Sequence, residues 1–175
     1  MNVVVIPDGA MIIVPLIEKN GHTYLSPTNF SRYNNEVDLN PDFNICLSCE
    51  TPSGVLGRIS LLAPLLNKAD AAIILGQRPP HYTPMYSVLN ELILFCGNGC
   101  RNAHSLSVKM ISDLNIPTLK LAYPTSRSEI ISLIGKVNIF LRNLTVAGDD
   151  LDCDLLTRKD RVDLDIFERI LKNSI

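Results

Sequence analysis

No stretch of this sequence approaches the roughly 20 uninterrupted apolar residues that a membrane span requires. The longest candidates are broken by Pro15, Pro64 or charged residues, so a membrane-embedded protein is not expected. The first eight residues, Met1-Asn2-Val3-Val4-Val5-Ile6-Pro7-Asp8, lack the basic leader and small-residue cleavage site of an export signal and read as a first strand. Charge of one sign is also scarce: 16 basic and 18 acidic residues leave a formal charge of -2, and no basic cluster exceeds Arg158-Lys159 followed by Arg161. Nucleic-acid binding needs a basic stripe to displace counterions, which argues against that partner class. Complete catalytic signatures are missing too. Neither G-x-G-x-x-G nor G-x-x-x-x-G-K-[ST] occurs, H-E-x-x-H is absent, and no Ser-His-Asp order can be assigned. The sequence names no reaction and leaves open whether the protein is an enzyme.

What is present describes a folded α/β protein. Across 175 residues, 46% are hydrophobic and 19% charged, enough apolar surface for one core. The pattern predicts a three-layer α/β domain over residues 1–147, with a mostly parallel sheet of four to six strands and Rossmann- or flavodoxin-like connections. Residues 148–175 are expected to be an acidic linker and a C-terminal amphipathic helix carried by Val162, Ile166, Phe167, Ile170 and Leu171. Residues 3–6 and 11–17 read as two adjacent strands separated by Pro7-Asp8-Gly9, and residues 21–42 as a long polar excursion. A short strand at 44–47 leads to Thr51-Pro52, an N-cap with proline at the first helical position. The helix behind it is expected to kink or break at Pro64. Residues 71–75, an apolar run ending at Gly76, form a central strand covered on both faces. A short helix over 84–91, a buried strand over 92–95, a helix over 103–114 and a strand over 116–122 follow. Ser126-Arg127-Ser128-Glu129 matches a capping box that opens a helix running to Leu144.

In parallel sheets the carboxyl ends of the strands form the ligand crevice. The expected strand-to-helix loop from Cys96 to His104 lies there. Gly97 and Gly99 permit close backbone approach to a ligand, Arg101 and Asn102 stand beside them as anion-binding candidates, and the helix that follows offers unpaired amides to an anion. The loop after the central strand adds Arg78 and His81, with Arg78 suited to a carboxylate or phosphate.

Five cysteines without an export signal point to reduced thiols in a cytoplasmic protein. Cys46 and Cys49 form a C-x-x-C pair, and Cys96 and Cys100 a C-x-x-x-C pair with His104 beyond. Four thiolates meeting in space would hold an iron-sulfur cluster or zinc. Against this stand buried structural cysteines, a reactive Cys100, a surface His104 and an Arg78 that merely pairs with a nearby acid.

Three stretches carry a resemblance: Glu50-Thr51-Pro52-Ser53-Gly54-Val55-Leu56-Gly57-Arg58, Gly76-Gln77-Arg78-Pro79-Pro80-His81-Tyr82-Thr83-Pro84, and Gly97-Asn98-Gly99-Cys100-Arg101-Asn102-Ala103-His104. Over about residues 1–145 the chain resembles the methanogenesis marker protein 5 family of methanogenic archaea. The resemblance implies a reducing archaeal cytoplasm and an accessory role in maturing methyl-coenzyme M reductase or its cofactors, with methanogenesis proteins or a second copy as partners. Residues 116–144 are more faintly similar to subunits of 2-hydroxyacyl-CoA dehydratases, which hold iron-sulfur clusters through cysteines at strand ends. Two other readings stay open: a small transferase or hydrolase acting on an anionic molecule, and a non-catalytic assembly factor.

Overall fold

The computed structural model describes residues 1–27, 53–96 and 101–146. Four strands form one sheet: β1 (Asn2–Ile6), β2 (Thr23–Tyr24), β3 (Ala71–Leu75) and β4 (Thr118–Leu121). Their order is β2-β1-β3-β4 and every pairing is parallel. β3 is buried along its whole length and β1 at four of its five positions, which their unbroken runs of aliphatic residues require of strands covered on both faces.

The pleat sorts those runs into two cores. Val3, Val5, Ala71, Ile73 and Leu75 point to one face, where they meet α1 (Val14–Lys19), α5 (Arg127–Val146) and Phe95. Val4, Ile6, Ala72 and Ile74 point to the other and meet α2 (Ser53–Leu66) and α4 (Arg101–Asp113). The result is the expected three-layer α/β arrangement.

Several local expectations are corrected. Residues 11–17 form no second strand: the chain turns through 11–13 and enters α1, where Pro15 sits near the amino end, a position that needs no N–H donor. Residues 92–95 are likewise helical, the second half of α3 (Val88–Phe95). A short apolar run does not separate buried strand from helix by periodicity. Here Ser87 decides it, its hydroxyl accepting the Asn90 N–H at 3.3 Å to cap the first turn. α2 runs on through Pro64 to Leu66 rather than breaking there. The capping box holds, since the Ser126 hydroxyl accepts the Glu129 N–H at 3.3 Å and Glu129 accepts the Thr125 N–H at 2.6 Å. The Thr125 N–H and the Thr125 hydroxyl, both donating to that carboxylate, hold the Glu129 carboxyl below the usual carboxylate range. The expected strand at 44–47, the cap at Thr51-Pro52, most of the polar excursion and the C-terminal helix lie outside the described residues.

Candidate functional site

The helices α1, between β1 and β2, and α4, between β3 and β4, lie on opposite faces of the sheet, one on the first core and one on the second. The segment just after β3 runs over the first core, where Met85, Tyr86, Leu94 and Phe95 pack and the Ile12 N–H donates to the Leu94 carbonyl at 3.1 Å. Neighbouring strands whose connections diverge in this way open a crevice between their carboxyl ends, and the order β2-β1-β3-β4 is that of flavodoxin-like sheets up to the fourth strand. α2 and α4 both finish where β3 and β4 begin, so their amino halves lie at this carboxyl edge.

Side chains from five segments meet there. After β1, Gly9 takes a φ of 83°, open to glycine and strained for other residues, and its N–H donates to the Tyr24 hydroxyl at 3.0 Å. Asp8 pairs with Arg58 of α2 at 2.5 Å. Burial pushes the Tyr24 phenol up, and the charges of Asp8 and Cys96 add to that push. At the end of β3, Gly76 donates to the Leu121 carbonyl at 2.7 Å, and a Cβ there would stand 3.2 Å from that oxygen. Only a residue without a side chain closes that β3–β4 corner comfortably. His104, one turn into α4, places Nε2 3.0 Å from the Leu75 carbonyl.

Beside this crevice sits a group that sequence reasoning missed. Glu91 of α3 is only 4% exposed. Its Oε1 accepts the Met85 N–H at 2.9 Å and the Tyr82 hydroxyl at 3.1 Å, and the Tyr123 hydroxyl lies 3.4 Å from Oε2. Arg78 approaches that carboxylate to 3.7 Å, beyond hydrogen-bond length, and lies 5.5 Å over the Tyr82 ring. Tyr123 packs edge-on to Tyr82 at 5.6 Å and against Phe95 at 5.2 Å. Burial, then the Glu91 charge, pushes the Tyr123 phenol up to about 12; burial raises Tyr82 as well. A buried acid in a polar network of this kind holds its loop in one arrangement, because each group left unpaired would carry its full desolvation cost.

The expected site residues fall into three groups. Arg78, His104 and Cys96 gather at the carboxyl edge; Cys96 is half-buried at the end of α3, with a φ of 55°. His81, Arg101 and Asn102 are exposed on the same side, without a bond to the cluster. Gly97, Gly99, Cys46, Cys49 and Cys100 lie outside the described residues. The segment from Cys96 to His104 joins two helices rather than a strand and a helix, which corrects its expected origin. Among the described residues no group of three His, Cys, Asp or Glu side chains could hold a metal ion, and no helix is long and apolar enough to cross a membrane. The signal for Glu91 was in the sequence: Ser87 followed by Val88-Leu89-Asn90-Glu91-Leu92-Ile93-Leu94-Phe95, an acid inside an apolar run behind a capping residue. Reading residues 92–95 as a strand severed it from its helix.

Comparison with known proteins places this architecture among archaeal sequences. A family model described as an uncharacterized protein conserved in archaea, DUF2112, matches residues 1–144. Uncharacterized protein MJ0404 of Methanocaldococcus jannaschii is 31% identical over 154 residues, covering 79% of this chain and 91% of that relative. No solved structure matches the chain.

Proposed function

The chain belongs to the archaeal DUF2112 family, and from that premise we propose that it is an accessory protein of methanogenesis that binds a small phosphorylated or carboxylated ligand between the carboxyl ends of β1 and β3. The observation that carries this reading is the strand order, with the connecting helices α1 and α4 on opposite faces, and Asp8, Gly9, Arg58, Arg78 and His104 on segments at the carboxyl ends of the strands.

The chemistry favours an anion. Two half-buried guanidiniums flank the crevice, and the one at Arg78 stands off from its acid at 3.7 Å, leaving N–H donors for a ligand. The amino halves of α2 and α4 add the positive ends of their dipoles. Gly9 lets backbone approach the ligand without a side chain between. The association with methane formation rests on the methanogen relative and on the resemblance to methanogenesis marker protein 5 carried by residues 50–58, 76–84 and 97–104. Cys46, Cys49 and Cys100 lie outside the described residues, so the ligand reading rests on the described groups of the carboxyl edge.

The test is thermal unfolding of the anaerobically purified chain with inorganic phosphate, pyrophosphate and adenosine nucleotides. A fitting probe at about 100 times its Kd stabilises by about 2.7 kcal/mol, several degrees in Tm for a chain of this size. Arg78→Gln should abolish that shift. A flat response to every probe would remove the ligand reading, and iron or zinc bound in stoichiometric amount would move the assignment to the thiols.

A further inference from the structure

Between β3 and β4 a column of rings leads from the core to a cation. Phe95 of α3 is sealed in the first core, only 1% exposed. Tyr123 packs against it at 5.2 Å with the planes tilted by 57°, and Tyr82 meets Tyr123 edge-on at 5.6 Å. These are spacings that aromatic pairs prefer, so each ring restrains the next. The Arg78 guanidinium ends the column, 5.5 Å over the Tyr82 ring.

Tyr82 has little freedom in this arrangement. Its hydroxyl donates to Glu91 Oε1 at 3.1 Å and accepts the Met85 N–H at 3.1 Å, while its own N–H donates to the Pro79 carbonyl at 3.3 Å. Pro79 and Pro80 fix successive φ angles between the cation and the ring. The turn from Arg78 to Tyr82 is therefore held at the backbone and at the phenol tip together.

Arg78 is oriented without its donors being consumed. Its side chain is 30% exposed; the ring meets it through a π face, and the Glu91 carboxylate stands at 3.7 Å, beyond hydrogen-bond length. We propose that Tyr82 is a positioning residue, whose ring fixes the Arg78 guanidinium so that its fork of N–H groups receives a bidentate oxyanion, a carboxylate or a phosphate group, at the carboxyl edge. The ring sets the orientation, because a π face restricts where the cation lies, whereas a carboxylate at this distance attracts it without direction. Anchored through Tyr123 to the core, Arg78 has less side-chain freedom to lose when a ligand binds. The oxyanion rests on the ligand reading above; the hold of Tyr82 on Arg78 does not.

Two measurements on the full-length chain keep these apart. In the ligand-free protein the Arg78 Nε–H proton resonance, identified by its loss in Arg78→Gln, should be displaced upfield by the ring current. Tyr82→Phe should keep that displacement and Tyr82→Leu should lose it. Both variants lack the hydroxyl and its bonds to Glu91 and Met85, so both should unfold earlier in urea than the parent, and the ring alone distinguishes them. By calorimetry, Tyr82→Leu should then bind pyrophosphate about fivefold more weakly than Tyr82→Phe. Glu91→Gln keeps the ring and removes a competing negative charge, so it should bind pyrophosphate more tightly than the parent. An undisplaced Arg78 resonance in the parent overturns the positioning role without any variant. Equal affinities in the Phe and Leu variants would overturn it too, and so would weaker binding by Glu91→Gln, which would assign the orientation to the carboxylate. A parent that binds no anion yet shows the displaced resonance would remove the ligand reading and uphold the hold of Tyr82 on Arg78.

Discussion

At the amino edge of the sheet His22 places Nε2 2.9 Å from the carbonyl of Leu141; at the carboxyl edge His104 places Nε2 3.0 Å from that of Leu75. The same bond sits in opposite surroundings. His22 is buried, and elsewhere along that edge amides and backbone close the structure: the Asp70 N–H donates to the Asn2 carbonyl at 2.9 Å, and the Asn20 side chain to Asn138 at 3.0 Å. His104 is half-exposed, and the carboxyl edge also carries Asp8 with Arg58, Gly9 with Tyr24, and Glu91 with Arg78, Tyr82 and Tyr123. One edge spends its polar groups on closure. The other keeps them accessible to a ligand, which is how parallel sheets divide stability from function.

The sharpest way to break that division is at Glu91, where the carboxyl edge contains its own closure. Glu91→Ala strands the Met85 N–H, two phenols and the Arg78 charge, and should cost about 3–5 kcal/mol in denaturant unfolding. Glu91→Gln keeps an acceptor and should cost less than half as much. Equal losses for both would mean that the charge, and not the hydrogen bonding, orders the loop. At the amino edge, His22→Ala removes a buried ring and its bond to Leu141 and should cost about 2 kcal/mol. Ligand binding should survive it, and a binding defect there would erase the contrast between the edges.

The asymmetry was legible in the sequence only in part. The runs at 3–6 and 71–75 announce buried parallel strands because no polar residue interrupts them, and Ser126-Arg127-Ser128-Glu129 announces its helix because capping is local chemistry. The partners of Arg78 and the burial of Glu91 were hidden. They depend on α3 folding back beside Tyr123, 32 residues away in sequence, and no local pattern encodes that approach. Residues 11–17 misled for a related reason: aliphatic, β-branched side chains suit a strand, but Pro15 and packing into the first core favour a helix. Ser126→Ala tests the legible part, and loss of this cap should cost about 1 kcal/mol without touching ligand affinity.

Arg58 separates the edges by function rather than stability. Its pair with Asp8 is about one third exposed on both sides, so Arg58→Ala should change unfolding free energy by less than about 1 kcal/mol. If the crevice binds anions, the same substitution should weaken pyrophosphate or nucleotide binding at least tenfold by calorimetry. A variant that binds as the parent does would leave Arg58 a surface pair and shift the ligand toward Arg78.

The smallest effect is invisible at neutral pH. Burial pushes the Tyr123 phenol from 10.0 to about 12, so between those values the unfolded chain loses this proton while the folded chain keeps it. The unfolded state then binds fewer protons, and stability must fall as pH rises through this window; below pH 10 the contribution is fully present. Tyr123→Phe removes that titration and should flatten the decline in urea midpoint across the window, leaving the smaller slopes due to Tyr24 and Tyr82. An unaltered slope in Tyr123→Phe would mean that the phenol reaches water instead of Glu91, and that the carboxyl edge is more open than the geometry gives it.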